Sequence, residues 1–454
     1  MKKIWIVLLS LGLIAAFSMP AAAVTPEMTG QYYVRGNYLS NPSMLDQDGG
    51  SNRSSLSYMD QRLRTFIRLK IADGLTLTSR MDSMEVIWGQ NLKNTIPGDS
   101  GKTNQQSVAW EQVYVSFATG IGKFDVGYKS GTPYGWGTKF QNAPGTAPGI
   151  KWSNTFGNLS VLADFNKTSQ GDLDTASDPQ LFQTDANNEY YDLGATYKFK
   201  GGDAGLLYTF FRNAITRSSS TPTTGAVVTN HVLQPYVRAK FGPVNVEAEA
   251  YYMNGKSSPD DPATVDTDYK AQGLYVNGKY TIGPAYIGAK FIYCSGDDPA
   301  TPNEKEGSLN NTFKYATDTE IWGSISPAIL FGYGYHGMGV SSIDSTKGNL
   351  SSDLGNTMDN VWMYSIYGGV DVTKKLALSA KAFYAKADEK LATNSVDTDY
   401  GTELDLMATY KIYDQLTYNV GFAYLWTGDY FKGTSSSVEV KNVYFVSHWI
   451  DLNF

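Results

Sequence analysis

The sequence predicts an all-β fold, a transmembrane antiparallel up-and-down β-barrel of about 18 strands, with roughly 16 to 20 compatible with the pattern. Three observations predict this class. Many segments alternate large apolar residues with polar or small ones. Tight turns and long polar loops follow one another along the chain. Beyond the N-terminus, no segment offers about 18 uninterrupted apolar residues, so no membrane-spanning helix is expected.

The alternation is clearest in residues 416–426, LTYNVGFAYLW. Side chains of a strand point alternately to its two faces. Soluble strands usually have about five or six residues, whereas a tilted strand that crosses a bilayer needs roughly nine to eleven. The length therefore predicts that the large apolar face contacts lipid and that the thinner face contacts water. The apolar face comprises Leu416, Tyr418, Val420, Phe422, Tyr424 and Trp426.

Tight turns rich in Gly, Pro, Asp and Asn divide the chain, because these residues supply the backbone angles and local bonds that turns need. Long polar loops lie between successive turns, and short turns on the periplasmic side with long outer loops are typical of outer-membrane barrels. Eight such turns predict about 18 strands, with both chain ends on the periplasmic side. The turns are Ala72–Gly74, Gly120–Gly122, Phe156–Asn158, Lys200–Asp203, Gly242–Pro243, Gly283–Pro284, Thr373–Lys374 and Tyr413–Gln415.

Residues 1–23 have the features of a secretory signal peptide. Lys2 and Lys3 precede a short apolar run, and small residues that end at Ala23 supply a cleavage site. The expected mature protein is one barrel domain, residues 24–454. It is expected to cross the inner membrane and to reside in the cell outer membrane, with lipid among its partners.

Composition excludes several function classes. The formal net charge of −7 argues against nonspecific binding of nucleic acid. The single Cys294 permits no intramolecular disulfide, no zinc-binding cysteine pair and no haem-attachment motif, so no cofactor is expected. A mean hydropathy of −0.30 suits a barrel, since only half of each strand faces lipid.

The last residues form an alternating segment that ends in an aromatic residue. Tyr444, Val446, Ile450, Leu452 and Phe454 share one face. The segment resembles the C-terminal strand of Gram-negative outer-membrane proteins. That resemblance implies that Phe454 is an assembly signal and that the barrel-assembly machinery is a partner. Pairing of this strand with the first one is expected to remove both open edges of the sheet.

A second resemblance rests on Gly401-Thr402-Glu403-Leu404-Asp405-Leu406, the hairpin at Tyr413, and Gly428-Asp429-Tyr430-Phe431. This pattern is similar to the C-terminal part of the alginate-export porin family. The resemblance implies an outer-membrane channel with an eighteen-stranded barrel. The segment from Gly127 to Gly137 is only loosely similar to that family, because Lys129 stands where the family has Arg.

One strand carries a series of basic residues on its inward face. In residues 60–71, the apolar positions Leu63, Ile67, Leu69 and Ile71 are expected to face lipid, so the basic residues between them face the lumen. A tight turn then pairs Lys70 with Thr76, Arg68 with Thr78, Phe66 with Arg80 and Arg64 with Asp82. We call this set the basic ladder: Arg35, Arg62, Arg64, Arg68, Lys70 and Arg80, interrupted by one Arg64–Asp82 pair, with Asp60 on the same strand face.

Later strands supply acids that are expected to face the ladder across the lumen: Glu111, Glu247, Glu249, Glu403 and Asp405. Such a transverse field orients polar solutes and sets ion preference. Two interpretations stay open. In one, the ladder acts on anionic solutes; in the other, the charges only pair with one another and fill the lumen.

The connection from Ser295 to Asn356 is too apolar in part for a purely solvated loop. It contains Trp322 and an apolar, glycine-rich run over residues 327–337. Either it folds into the lumen and narrows it, or it forms an extra hairpin that raises the strand count to about twenty.

Enzymatic and metal sites find little support in the sequence. Of the three histidines, His231 and His448 are expected near the lipid face, and no serine–histidine pairing can be derived from the spacing of His336. Acidic loop pairs at Asp260–Asp261 and Asp297–Asp298 have oxygen ligands suited to calcium, but such clusters more often only solvate a loop. No metal is expected.

The sequence thus predicts a non-enzymatic outer-membrane porin for passive or weakly selective passage of small hydrophilic, in part anionic, solutes. The alternatives are an alginate-like polysaccharide export pore, a structural or adhesive barrel plugged by its loops, a barrel enzyme, and a porin that encloses separate cytochromes of an electron conduit. The sequence does not decide between a monomer and a trimer.

Overall fold

The computed structural model describes residues 24–41, 55–88, 108–131, 140–141, 146–170, 186–218, 225–307, 314–315, 343–344, 349–350, 360–390 and 392–454. The predicted signal peptide, His336 and the run over 327–337 lie outside the described residues. Among the described residues, no helix has both the length and the apolar composition needed to span a membrane.

Eighteen strands form one closed antiparallel sheet, in which each strand pairs with its neighbours in the chain and the last pairs with the first. The predicted fold class and strand number are confirmed. The strands are β1 Thr25–Ser40, β2 Ser55–Ala72, β3 Leu75–Ile87, β4 Val108–Thr119, β5 Gly122–Ser130, β6 Thr146–Phe156, β7 Leu159–Gln170, β8 Asn187–Phe199, β9 Gly202–Asn213, β10 Ala226–Phe241, β11 Val244–Pro259, β12 Thr267–Ile282, β13 Ala285–Cys294, β14 Val361–Asp371, β15 Leu376–Lys386, β16 Asp399–Lys411, β17 Leu416–Thr427 and β18 Val443–Asn453.

Short elements lie outside the barrel wall. Two 3₁₀ helices span Ile215–Ser218 and Asp429–Lys432. Glu304–Lys305 runs parallel to part of β12. Two further two-residue pairings join Lys314–Tyr315 to Phe140–Gln141, and Ile343–Asp344 to Asn349–Leu350.

The two faces of the wall differ as the alternation predicts. On β17, Val420 and Trp426 are 40% and 47% exposed on the outside, whereas Asn419 is 4% exposed and Leu425 is buried on the inside. A charge facing lipid near the bilayer midplane costs roughly 2–4 kcal/mol. This cost explains why large uncharged side chains occupy the outer face.

All eight predicted tight turns join consecutive strands at one end of the barrel. In two of these turns, Gly242 and Gly283 have φ angles of +60° and +56°. A Cβ disfavours this left-handed region, so glycine is the residue that fits there. By the rule that short turns lie in the periplasm, this end is the periplasmic one.

The barrel closes between β1 and β18. The Gly30 N–H donates to the Phe454 carbonyl oxygen at 2.7 Å, and the Phe454 N–H donates to the Gly30 carbonyl oxygen at 3.0 Å. A Cβ on Gly30 would lie 2.6 Å from Cζ of the Phe454 ring, so the ring occupies the space that the glycine leaves. This contact completes the closure that the sequence predicts.

The long connection after Ser295 does not add a hairpin to the wall. β13 pairs directly with β14, with Cys294 opposite Val361 and Ala285 opposite Val370. A further hairpin in the wall would separate these two strands. The alternative of about twenty strands is therefore wrong.

Candidate functional site

The inward faces of β1 to β4 bring the predicted basic ladder together. β2 and β3 pair as the sequence predicts: Lys70 lies opposite Thr76, Arg68 opposite Thr78, Phe66 opposite Arg80, and Arg64 opposite Asp82. The two-residue turn after Ala72 fixes this register. The geometry of the hairpin was thus predictable to the residue.

The predicted Arg64–Asp82 pair is present. Nε of Arg64 donates to Oδ1 of Asp82 at 2.8 Å, and Nη2 donates to Oδ2 at 2.6 Å. The arrangement is bidentate, which is the strongest geometry available to a guanidinium and a carboxylate. Asp82 is buried, and the Arg64 side chain is 21% exposed towards the lumen.

The prediction that only one pair interrupts the ladder is wrong, since every ladder residue lies near an acid. Arg35 binds Asp60 through Nε and Nη2, both at 2.9 Å, and both residues are buried. Nη2 of Arg80 lies 2.9 Å from Oε2 of Glu111. The acids come from cross-strand neighbours on β1, β2 and β4, whose pairing depends on loops too long to fix a register from sequence.

Two acids of this wall were missed in the sequence. Glu27 on β1 lies 2.5 Å from Nζ of Lys70 and 3.7 Å from Nη1 of Arg68. Glu85 on β3 lies 4.0 Å from Nη1 of Arg62, which is equally far from Asp82. Glu27 lies near the start of β1 on the same inward face as Arg35, and this position could have identified it from the sequence as a partner of the basic ladder.

The acids predicted to form an opposing wall are dispersed. Glu111 belongs to the ladder wall itself, because it lies on β4 beside Arg80. Asp405 is buried and pairs with Lys381, whose Nζ lies 3.1 Å from Oδ2. Glu403 is also buried on the same face of β16. A single acidic wall opposite a single basic wall is therefore not what the lumen contains.

Glu249 and its neighbour Glu247 lie on the inward face of β11, and Glu249 anchors a segment of chain inside the barrel. The Phe140 N–H donates to Oε1 of Glu249 at 3.1 Å, and Nε2 of Gln234 donates to the Phe140 carbonyl oxygen at 2.9 Å. The Phe140 ring packs edge-on against Tyr251, with centroids 4.7 Å apart. Phe140 is thus buried in the lumen against the wall of β10 and β11.

Phe140–Gln141 also pairs with Lys314–Tyr315 from the long connection. We call these four residues the lumenal bridge. The prediction that the connection folds into the lumen agrees with this pairing for residues 314–315, and the rest of its central part lies outside the described residues. No strand periodicity surrounds Phe140 in the sequence, so its role was not predicted.

Apolar side chains fill the lumen beside the bridge. Met253, Ile292, Met363 and Phe383 are at most 3% exposed, and they pack in one cluster with Phe140. The wall from β11 to β15 carries this apolar cluster beside a buried ion pair, Lys381 with Asp405, whereas the wall of β1 to β4 is lined by ion pairs. Water and hydrophilic solutes are better accommodated along the second wall.

The acidic loop pairs have local partners. Nε of Arg217 donates to Asp260 at 2.9 Å, and Nζ of Lys305 donates to Asp297 at 2.6 Å. Within the described residues, no group of three or more His, Cys, Asp or Glu is arranged to hold a metal ion. Burial raises the pKa of Glu389 above its ordinary value, and the nearby carboxylates, Asp388 first, add to this effect.

The histidines that the structure describes lie on the outside, as the sequence predicts. His231 and His448 are both exposed outward, and Nδ1 of His231 lies 2.7 Å from the Tyr208 hydroxyl. Their position places them in the lipid-facing layer, away from the lumen.

A closed barrel with short turns at one end and a charged, partly filled lumen defines the class of outer-membrane channels. The family model for Gram-negative porins matches residues 10–323, and the chain belongs to this family. It is an outer-membrane channel for small solutes. A comparison with curated proteins finds no match to the sequence.

Solved structures agree in fold. OccAB3 of Acinetobacter baumannii is 11% identical, with a TM-score of 0.54 over 94% of this chain and 99% of that chain. OccK8 (OprE) of Pseudomonas aeruginosa is 11% identical, with a TM-score of 0.51 over 94% and 98%. OpdK of the same organism, solved with vanillate, is 10% identical, with a TM-score of 0.51 over 94% and 98%.

The matching family corrects one prediction. The comparisons support the porin class, but they do not support the narrower resemblance to the alginate-export family that the residues around Gly401–Phe431 suggested. A Gly-x-Glu-x-Asp strand followed by an aromatic strand is a short pattern. It recurs wherever an inward acidic face is followed by an outward aromatic face.

Proposed function

We propose that this porin passes small hydrophilic solutes along the β1–β4 wall with a weak preference for anions. The observation that carries the proposal is the layering of charge on that wall. Asp60 and Asp82 are buried beside the guanidinium groups that they bind, while the Arg68 and Lys70 side chains are 57% and 55% exposed and their partner Glu27 is 40% exposed. The two most exposed charged side chains of that wall are therefore basic.

The number of charges on this wall also favours a weak preference for anions. The inward face of β1 to β4 carries six cations, the basic ladder, against five acids. The acids are Glu27, Asp60, Asp82, Glu85 and Glu111. A net charge this small favours modest anion preference, since most of the field of each cation is cancelled by its partner. The vanillate in the OpdK structure is an organic anion, which is compatible with this preference.

The test is ion selectivity of the purified protein in a planar bilayer. We expect stepwise conductance and a reversal potential that indicates weak anion preference. The double substitution Arg68→Gln and Arg80→Gln removes two cations whose partners are hydrated: Lys70 remains for Glu27, and the Glu111 side chain is 35% exposed. Reversal potential should shift towards cations, most strongly at 0.1 M salt, where the screening length is about 10 Å.

The matched control neutralises the partners, Glu27→Gln and Glu111→Gln, and should shift the reversal potential in the opposite direction. Equal reversal potentials in wild type and both variants would show that these charges only fill the lumen. Absence of conductance would instead favour a barrel plugged by its loops, for which the lumenal bridge is the specific observation.

Export and assembly are further proposals. Residues 1–23 act as the signal peptide, in keeping with a first described strand that begins at Thr25. Phe454 is the signal read by the barrel-assembly machinery, and it lies 46% exposed at the closure of the sheet. Deletion of Phe454 should lower the amount of assembled barrel in cells, measured by heat-modifiable migration on a gel. Normal migration at normal yield would contradict the assembly role.

A further inference from the structure

A second group of cations lies at the periplasmic mouth, separate from the basic ladder. Each residue is on the inward phase of its strand, at or near the tight turn. We call this group the lysine arc: Lys198 on β8, Lys240 on β10, Lys279 on β12, Lys375 just before β15, and Lys411 on β16. Four of the five are exposed, and Lys279 is intermediate.

The lysine arc has no carboxylate partners within the part of the chain that the structure describes. None of its Nζ atoms lies within 4.0 Å of a carboxylate there, although Lys279 lies 4.0 Å from the centroid of the Tyr286 ring. The turns add two more lysines of the same kind, Lys200 and Lys374. This is the reverse of the basic ladder, in which each cation lies near an acid.

Acids of the same mouth do not balance the arc. Asp203 is already held by Arg238, with Oδ2 and Nη2 2.8 Å apart. Asp371 and Asp414 are the exposed acids of this half of the mouth, and Glu247 lies deeper on β11. Seven lysines thus face two exposed, unengaged carboxylates, and the periplasmic mouth is positive on the side of β8 to β16.

A recess in this mouth lies between two arc residues. Its volume is about 360 Å³, and its lining includes Lys375, Lys411, Thr409 and Asp371. Lys374 also lines it, so three ammonium groups and one carboxylate surround the opening, and the net positive charge favours a small hydrated anion.

The extracellular end of the same half has the opposite sign. The described residues 256–270, 295–307, 386–390 and 392–399 hold twelve acids against five lysines, and Arg217 from the neighbouring loop binds one of these acids, Asp260. Three of those lysines are engaged by acids, at Lys256–Asp266, Lys270–Glu304 and Lys305–Asp297. The raised pKa of Glu389 is a further sign of crowded carboxylates at this end.

We propose that the lysine arc and the acids of the extracellular end, which we call the acidic outer rim, make this pore a rectifier that concentrates anions at its periplasmic mouth. The proposal rests on the channel activity proposed above. A pore with fixed charges of opposite sign at its two ends fills with ions of both signs under one polarity. Under the other polarity it empties of them, because each end then excludes the ion driven into it.

The sign of the effect follows from the geometry. When the extracellular chamber is positive, cations enter through the acidic rim and anions enter past the lysine arc, so both accumulate. Current should therefore be larger with that polarity, by roughly twofold at 0.1 M KCl. At 1 M the screening length falls to about 3 Å, and the current–voltage curve should become symmetric.

A cysteine variant shows which end of the barrel faces which chamber of the bilayer apparatus. In a Lys411→Cys variant, a membrane-impermeant anionic thiol reagent should alter the current sooner when it is added to the periplasmic chamber than when it is added to the extracellular chamber. The wild type serves as the background, since its single Cys294 is buried.

The decisive comparison is the triple variant Lys198→Gln, Lys240→Gln and Lys411→Gln, which breaks no ion pair of the described structure. Its current should be symmetric at 0.1 M. The control Lys386→Gln with Lys390→Gln removes two lysines from the acidic end and should keep or increase the asymmetry. The double variant Lys198→Gln with Lys240→Gln should have a ratio of currents at the two polarities between those of the wild type and the triple variant. It tests the proposal even if the triple variant does not fold.

A conducting wild type with a symmetric curve at 0.1 M, an asymmetry of the opposite sign, or an unchanged ratio in the triple variant would each overturn the proposal. Such results leave the channel function standing, because that function requires only conductance. A wild type that does not conduct would overturn both.

Discussion

The basic ladder and the lysine arc are both rows of cations on inward strand faces, yet they lie in different surroundings. In the ladder, Arg35 and Asp60 are bound together and buried. In the arc, Lys240 and Lys411 are exposed and have no carboxylate within 4.0 Å in the described chain. The Arg35–Asp60 pair has the geometry of strong hydrogen bonds, whereas the arc lysines carry charges that no carboxylate of the described chain neutralises.

This difference separates two roles that a cation in a pore can have. A buried pair is costly to break but projects little field, because its charges cancel at short range. An unpaired exposed lysine contributes little to stability but keeps its field in the water of the pore. The buried pair of the ladder, Arg35–Asp60, should therefore respond to substitution mainly in stability, whereas the arc should respond mainly in ion current.

The largest expected effect falls on Asp60. Asp60→Asn leaves the Arg35 guanidinium buried without its counter-charge, and breaking a buried pair costs about 3–5 kcal/mol. The free energy of unfolding, measured by urea titration in lipid vesicles, should fall by that amount. The matched substitution Asp371→Asn, at an exposed acid beside the arc, should change it by less than about 0.5 kcal/mol. Equal losses in the two variants would break the distinction between the regions.

A smaller effect is expected at the partly exposed end of the ladder. The Arg80 and Glu111 side chains are 11% and 35% exposed. A double-mutant cycle with Arg80→Gln and Glu111→Gln should give a coupling of about 0.2–1 kcal/mol in unfolding free energy, because water screens such pairs. The single variant Lys411→Gln should change the unfolding free energy by close to zero. A coupling above about 3 kcal/mol would mean that Arg80 belongs with the buried pairs.

What the sequence predicts depends on how far apart in the chain the contacting residues lie. The Arg64–Asp82 pair was predictable, because a tight turn fixes the register of a hairpin. The Arg35–Asp60 pair was not, since the connection between β1 and β2 is long and leaves the register open. Lys381 and Asp405 show the same limit, because the loop between β15 and β16 is also long.

The lumenal bridge lies beyond any periodicity argument. Phe140 lies in a loop without strand periodicity, and its contacts with Glu249, Gln234 and Tyr251 of distant strands show that it lies in the lumen. The lysine arc, by contrast, could have been predicted from the sequence. A lysine on the inward phase next to a tight turn recurs at positions 198, 240 and 411, and the repetition was visible once strand phases were assigned.

The closure at Gly30 and Phe454 has a consequence for the order of events in assembly. The two strands that meet there stand at opposite ends of the described chain, so their pairing is the contact of greatest sequence separation in the wall. Contacts of this kind form late and slowly. Until β18 arrives, both margins of the growing sheet present unpaired backbone groups that other chains can join. The time a newly exported chain spends in that state, more than the stability of the finished barrel, sets its exposure to aggregation.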